Sequence, residues 1–120
     1  MDRFLVLFVV LIFSGIKVSC QNDFEKASQL FSEGSYQESV EVLEALKKEE
    51  GGSFGLYYNL GNAYYRLGDM ARARLNYERA LLLKPYNKET LQNIALVKDA
   101  QQEEIEEILH FPGSMEQEYP

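Results

Sequence analysis

The stretch from Tyr57 to Pro85 constrains the fold of this chain more than any other part of it. It reads Tyr57-Tyr58-Asn59-Leu60-Gly61-Asn62-Ala63-Tyr64-Tyr65-Arg66-Leu67-Gly68-Asp69, followed by Ala73, Tyr77, Ala80 and Pro85. The apolar spacing predicts two amphipathic helices of about a dozen residues each, broken at Gly68 and stopped before Pro85. Gly61, Ala73 and Ala80 are small enough to let the two helices approach closely, while Tyr57, Leu60, Tyr64 and Tyr77 fill the gaps between them. A hairpin of this kind cannot bury its apolar faces alone.

A degenerate copy of the hairpin lies over Asp23 to Leu46, one helical-repeat period of about 34 residues upstream. Gly34 aligns with Gly68, Ala27 with Gly61, Leu30 with Tyr64, Leu43 with Tyr77 and Leu46 with Ala80. Ser35-x-x-Glu38 predicts a capping box that starts the second helix of this copy directly after the Gly34 turn. Lys47 to Gly55 reads as a polar, glycine-containing linker between the hairpins. One period downstream, Leu91 and Ile94 align with Tyr57 and Leu60, with Asn87 as helix N-cap and Ala95 and Val97 extending the apolar pattern. Asp99, Glu103, Glu104, Glu106 and Glu107 supply the polar outer face that a terminal helix of a stacked array requires, so 87–109 reads as a capping helix. The remainder, 110–120, reads as a flexible tail.

Met1 to Cys20 has the layout of a secretory signal: Arg3, an apolar run from Phe4 to Ile16, then Lys17-Val18-Ser19-Cys20. That run is shorter than the roughly 20 residues a helix needs to cross a bilayer, so export with cleavage is favoured over a permanent anchor. Val18 and Cys20 form a small-residue pair before Gln21, which favours cleavage after Cys20. Lipidation of Cys20 is the alternative, against which Lys17 stands where an aliphatic residue is usual. As a lone cysteine, Cys20 has no partner for an internal disulfide.

A chain of 120 residues with 26% charged and 46% hydrophobic residues suits one small folded domain. Its formal charge of -7 speaks against nucleic acid as a partner, because phosphate binding needs a basic face. Charge varies along the chain: 21–52 carries 3 basic and 8 acidic residues, 53–88 carries 6 and 2, and 89–120 carries 1 and 8. The middle hairpin is therefore a basic band between acidic neighbours, and solvated faces account for it more simply than an anion site. No catalytic motif, metal-ligand spacing or phosphate loop is present, His110 stands alone, and no cofactor is expected.

Tyr57-x2-Leu60-Gly61-x2-Tyr64, with Ala73-x3-Tyr77-x2-Ala80 and Pro85, resembles a tetratricopeptide repeat (TPR), with Tyr where Trp is usual at the first position. The wording of Leu56–Asp69 and Ala73–Asn87 is similar to the BatE-type TPR proteins of the bacterial aerotolerance operon. The resemblance implies an all-α TPR solenoid of two repeats, 23–50 and 53–86, plus the C-terminal capping helix. It implies a non-enzymatic protein-interaction scaffold, exported to the periplasm and serving as adaptor or assembly factor in an envelope complex linked to aerotolerance or oxidative stress. Membrane association would run only through lipidated Cys20 or an uncleaved leader. The alternative is a structural lipoprotein or homo-oligomeric envelope subunit that uses convex or end surfaces.

In such repeats the first helix of each hairpin faces a concave groove. That geometry assigns Tyr58, Asn59, Asn62, Tyr65 and Arg66 to the groove, with Asn93 extending it to the next helix, as a surface for a peptide or protein partner. Asn59 and Asn93 carry both donor and acceptor and would clamp a peptide backbone between them. A chaperone-type carboxylate clamp is not expected: of Phe24, Ser28, Asn59, Glu89 and Asn93, only Asn59 matches the family's pattern, and Glu89 would repel a carboxylate.

Overall fold

The computed structural model describes Arg3 and residues 23–110, and among them it contains helices and no strand. Apart from Arg3, the expected leader, Cys20 and the tail after His110 lie outside the described residues. Five helices follow one another: α1 over 23–32, α2 (Tyr36–Glu50), α3 (Phe54–Arg66), α4 (Met70–Leu83) and α5 (Lys88–Leu109). Each packs on its neighbours in turn, α2 on α3, α3 on α4 and α4 on α5, so the all-α solenoid of two hairpins plus a terminal helix is what the chain forms.

Residues at the ends of the helices explain where they start and stop. Gly34 and Gly68 turn the chain between the two helices of each hairpin at φ 82° and 79°, a backbone region that side chains with a Cβ disfavour. Asp69 and Asn87 each accept a hydrogen bond from the backbone N–H three residues on, at 3.0 and 2.9 Å, closing the N-termini of α4 and α5. Ser53 does the same for α3, accepting from Leu56. The capping box expected at Ser35 and Glu38 is not formed: Ser35 sits at the N-cap of α2 without a side-chain cap bond. The expected linker also shortens, because α2 runs to Glu50 and only Gly51–Ser53 separates it from α3.

The interior divides into two clusters. Ala27, Val40, Leu43, Leu46, Leu56, Leu60 and Ala63 fill hairpin one and its contact with α3. Ala73, Tyr77, Ile94 and Val97 fill hairpin two and its contact with α5. Tyr64 packs against both clusters, and its hydroxyl donates to Glu44 Oε1 at 3.0 Å, tying α3 to α2. The core on α3 is Leu56, Leu60, Gly61 and Ala63, so Tyr57, expected to fill it, lies half-buried outside, with Arg79 6.0 Å from its ring centre. The small residues act as the spacing implied. A Cβ on Gly61 would come within 2.5 Å of the Tyr77 ring, so the glycine lets α3 and α4 close over that ring.

The outer face of α5 differs from the expectation of a polar cap. Leu91, Leu96, Ile105 and Leu109 are all exposed, in company with the glutamates. Thr90, Ile94 and Val97 are the residues of α5 that reach the core, and all three lie in its first half.

Candidate functional site

α3 presents the groove candidates, and their angular spacing decides where each one goes. With about 100° of rotation per residue, Tyr58, Asn62 and Tyr65 fall on one stripe, and Asn59 and Arg66 fall on a second stripe roughly a quarter turn away. The first stripe faces α4 and α5, and the second faces hairpin one.

On the first stripe the side chains gather around the hydroxyl of Tyr77, which is buried on α4. That hydroxyl donates to Asn62 Oδ1 at 2.5 Å. From α5, Asn93 Nδ2 donates to the same Asn62 oxygen at 3.4 Å and to the Tyr58 hydroxyl at 3.3 Å. The Tyr58 and Tyr77 rings stand 6.0 Å apart at 58°, and Phe54 stacks on Tyr58 at 5.8 Å. Burial raises the pKa of Tyr77 well above the ordinary tyrosine range, and the neighbouring Tyr58 and Tyr65 hydroxyls raise it further. Asn62, Asn93 and Tyr58 therefore join α3, α4 and α5 to one another, while Tyr65 remains at the rim, 36% exposed.

On the second stripe the Arg66 guanidinium lies 5.9 Å from the centre of the Tyr36 ring, and Phe31 meets Tyr36 edge-on at 5.1 Å. Arg66 thus leans on hairpin one. Beside it a cavity of about 200 Å³ opens between α1 and α3 over α2, lined by Ala27, Ser28, Phe31, Ser32, Ser39, Leu43, Asn59 and Asn62. Three serines line it, and their hydroxyls are occupied: Ser28 donates to Phe24 O, Ser32 to Ser28 O, and Ser39 to Ala27 O at 2.7 Å. Asn59 differs from them, since its amide makes no hydrogen bond among the described residues.

The six residues named from sequence thus share one side of the solenoid without forming one contact surface. The clamp expected between Asn59 and Asn93 is not assembled, because Asn93 turns to Asn62 and Tyr58. Sequence reasoning missed the cavity walls on α1 and α2 and the polar role of Tyr77, which it placed as a gap-filler. A buried tyrosine hydroxyl needs a partner, and that requirement is the signal that could have found it. Among the described residues no group of three or more His, Cys, Asp or Glu side chains is placed to hold a metal ion.

Comparison with known proteins agrees with this architecture. Residues 54–87 match the Tetratricopeptide repeat family. Tetratricopeptide repeat protein 16 of Homo sapiens is 33% identical over 78 residues, 65% of this chain and 9% of that protein. The Mus musculus protein of the same name is 37% identical over 67 residues, 56% of this chain and 8% of that protein. The chain thus spans less than a tenth of the curated relatives it matches. Residues 54–87 are a tetratricopeptide repeat, a unit that commonly serves as a protein-protein interaction module.

Proposed function

We propose that the chain is a non-enzymatic adaptor that holds an extended segment of a protein partner along the side lined by α1, α3 and α5. The free amide of Asn59 on the rim of the cavity carries this reading. An unpaired donor and acceptor beside a pocket of about 200 Å³ suits a peptide backbone at the rim and one side chain of moderate size within. The exposed edge of Tyr65 adds an aromatic contact, of the type enriched where interfaces concentrate their energy.

Peptides selected from a random displayed library against the purified chain test the proposal. Asn59→Ala and Tyr65→Ala should each weaken the selected peptides, Tyr65→Ala by about 2 kcal/mol, with far-UV dichroism unchanged. Two repeats make a short groove, so affinity should be modest, about micromolar. Peptides whose binding survives both changes but is lost on Arg72→Glu/Arg74→Glu would move the site to the opposite face, on α4.

The proposal extends to the setting. The leader layout supports export, and the wording of Leu56–Asp69 supports an adaptor in a bacterial envelope complex of the aerotolerance type. Mass spectrometry of the N-terminus of the expressed chain decides the first step. A start at Gln21 supports cleavage and periplasmic release, an acylated Cys20 supports a membrane-anchored lipoprotein, and an intact Met1 refutes export by this route.

A further inference from the structure

The two ends of α5 carry complementary surfaces. At the N-terminal end lie Leu82, 82% exposed, Leu83, and Tyr86, 94% exposed, next to the exposed Lys84 and Lys88, whose two charges outnumber the single carboxylate there, that of Glu89 in the first turn of α5. The backbone N–H groups that begin α5 add partial positive charge there. At the other end Ile105 and Leu109 are about half exposed, and Glu103, Glu104, Glu106 and Glu107 surround them. Helical rotation puts Ile105 and Leu109 on one stripe, with Glu104 and Glu106 along its two sides.

The charge at that C-terminal end is unfavourable for the helix that carries it. Carboxylates there reinforce the negative end of the helix dipole, and the last turn holds no basic residue to offset them. A basic, apolar surface would relieve the repulsion and cover the two side chains together. The chain contains such a surface at the opposite end of α5. The 22 residues of α5 separate the two ends by about 33 Å, so they cannot meet within one copy. Stacking of α5 on the start of another solenoid is a poor alternative, since 21–52 is itself acidic, with 8 acidic residues against 3 basic.

We propose that the chain associates end to end with a second copy of itself, the acidic and apolar C-terminal end of α5 docking on the Leu82, Leu83, Tyr86, Lys84 and Lys88 surface of the next molecule. The contact joins two different patches, so it propagates into a ring or an open row. It is independent of the groove around Asn59.

Sedimentation equilibrium of the purified chain across a concentration series tests this. The expected result is a mean mass that rises with concentration and falls back as salt screens the charges. Lys84→Glu/Lys88→Glu and Glu104→Lys/Glu106→Lys should each weaken association by about tenfold or more, with helicity retained. Mixing the two double variants should restore it, because the intact acidic end of the first meets the intact basic end of the second. A chain that stays monomeric at every concentration overturns the proposal. So does association that both double variants leave unchanged, or a mixture of the two that remains monomeric.

Discussion

Gly61 and Gly55 lie on the same helix, and changing each to alanine should move stability in opposite directions. Replacing a helical glycine by alanine favours the helix by about 1 kcal/mol, so that gain applies to both. At Gly55 the new methyl would meet only Phe24 Cζ at 3.6 Å, an ordinary contact, and the full gain should appear. At Gly61 it would meet Tyr77 Cε1 at 2.5 Å and Cδ1 at 2.6 Å. Normal carbon contacts lie near 3.5–4.0 Å, so the ring or the helix must yield by about 1 Å. The Tyr77 ring cannot swing aside, since it is buried and its hydroxyl is bonded to Asn62 at 2.5 Å. Overpacking of this kind costs about 1–3 kcal/mol, and loss of the Asn62 bond adds about 1 kcal/mol. Against the propensity gain, Gly61→Ala should destabilise by about 1–3 kcal/mol net, a fall in Tm of several degrees at about 4–8 °C per kcal/mol for a domain of this size. Urea titration followed by dichroism reads both variants. If Gly61→Ala is as stabilising as Gly55→Ala, α3 and α4 are not as close as described and the role assigned to Gly61 is wrong.

Three further outcomes follow from the same packing. Ala73 is fully buried, so Ala73→Leu should destabilise by about 1–3 kcal/mol in thermal denaturation, and an unchanged Tm would place residue 73 outside the interface. Asn87→Ala removes the acceptor for the Thr90 N–H and hydroxyl and should cost about 1 kcal/mol, whereas Asn87→Asp should retain most of it. The raised pKa of Tyr77 predicts alkaline instability: above about pH 10 the unfolded chain loses this proton while the folded chain keeps it, so stability is level below that pH and falls above it. Tyr77→Phe should make that fall shallower, and a pH series of urea midpoints in which its slope matches wild type would refute the assignment.

The hairpin architecture was legible because small residues and glycine turns report on backbone approach, which is a one-dimensional signal. Gly34, Gly61, Gly68 and Ala73 needed only a period to be placed correctly. Caps were legible where a single side chain decides the outcome, as at Asn87, and not at Ser35, where the residue stands at the N-cap but its hydroxyl makes no cap bond. The apolar exposure along α5 was not legible for a physical reason: counting glutamates describes composition, while the exposure of Leu91, Ile105 and Leu109 depends on which helix is or is not stacked beside them. Tyr57 was harder to place because its neighbour Leu56, about 100° away around the helix, takes the inward position beside Leu60.

The asparagines on α3 show why composition alone could not resolve the site. Asn is a poor helix former, so its presence at 59 and 62 invites a functional explanation for both. Only 62 has an internal one: its oxygen accepts from Tyr77 and Asn93, so one amide holds α4 and α5 against α3 and satisfies a buried hydroxyl that would otherwise be costly. Removing Asn62 should therefore loosen the spacing of the helices, with a loss of stability to match. Asn59 has no such duty, and its amide lies on the rim of a cavity walled by α1, α2 and α3. Loss of affinity at unchanged stability is the signature that separates the two, and the proposed groove predicts it for Asn59→Ala and not for Asn62→Ala.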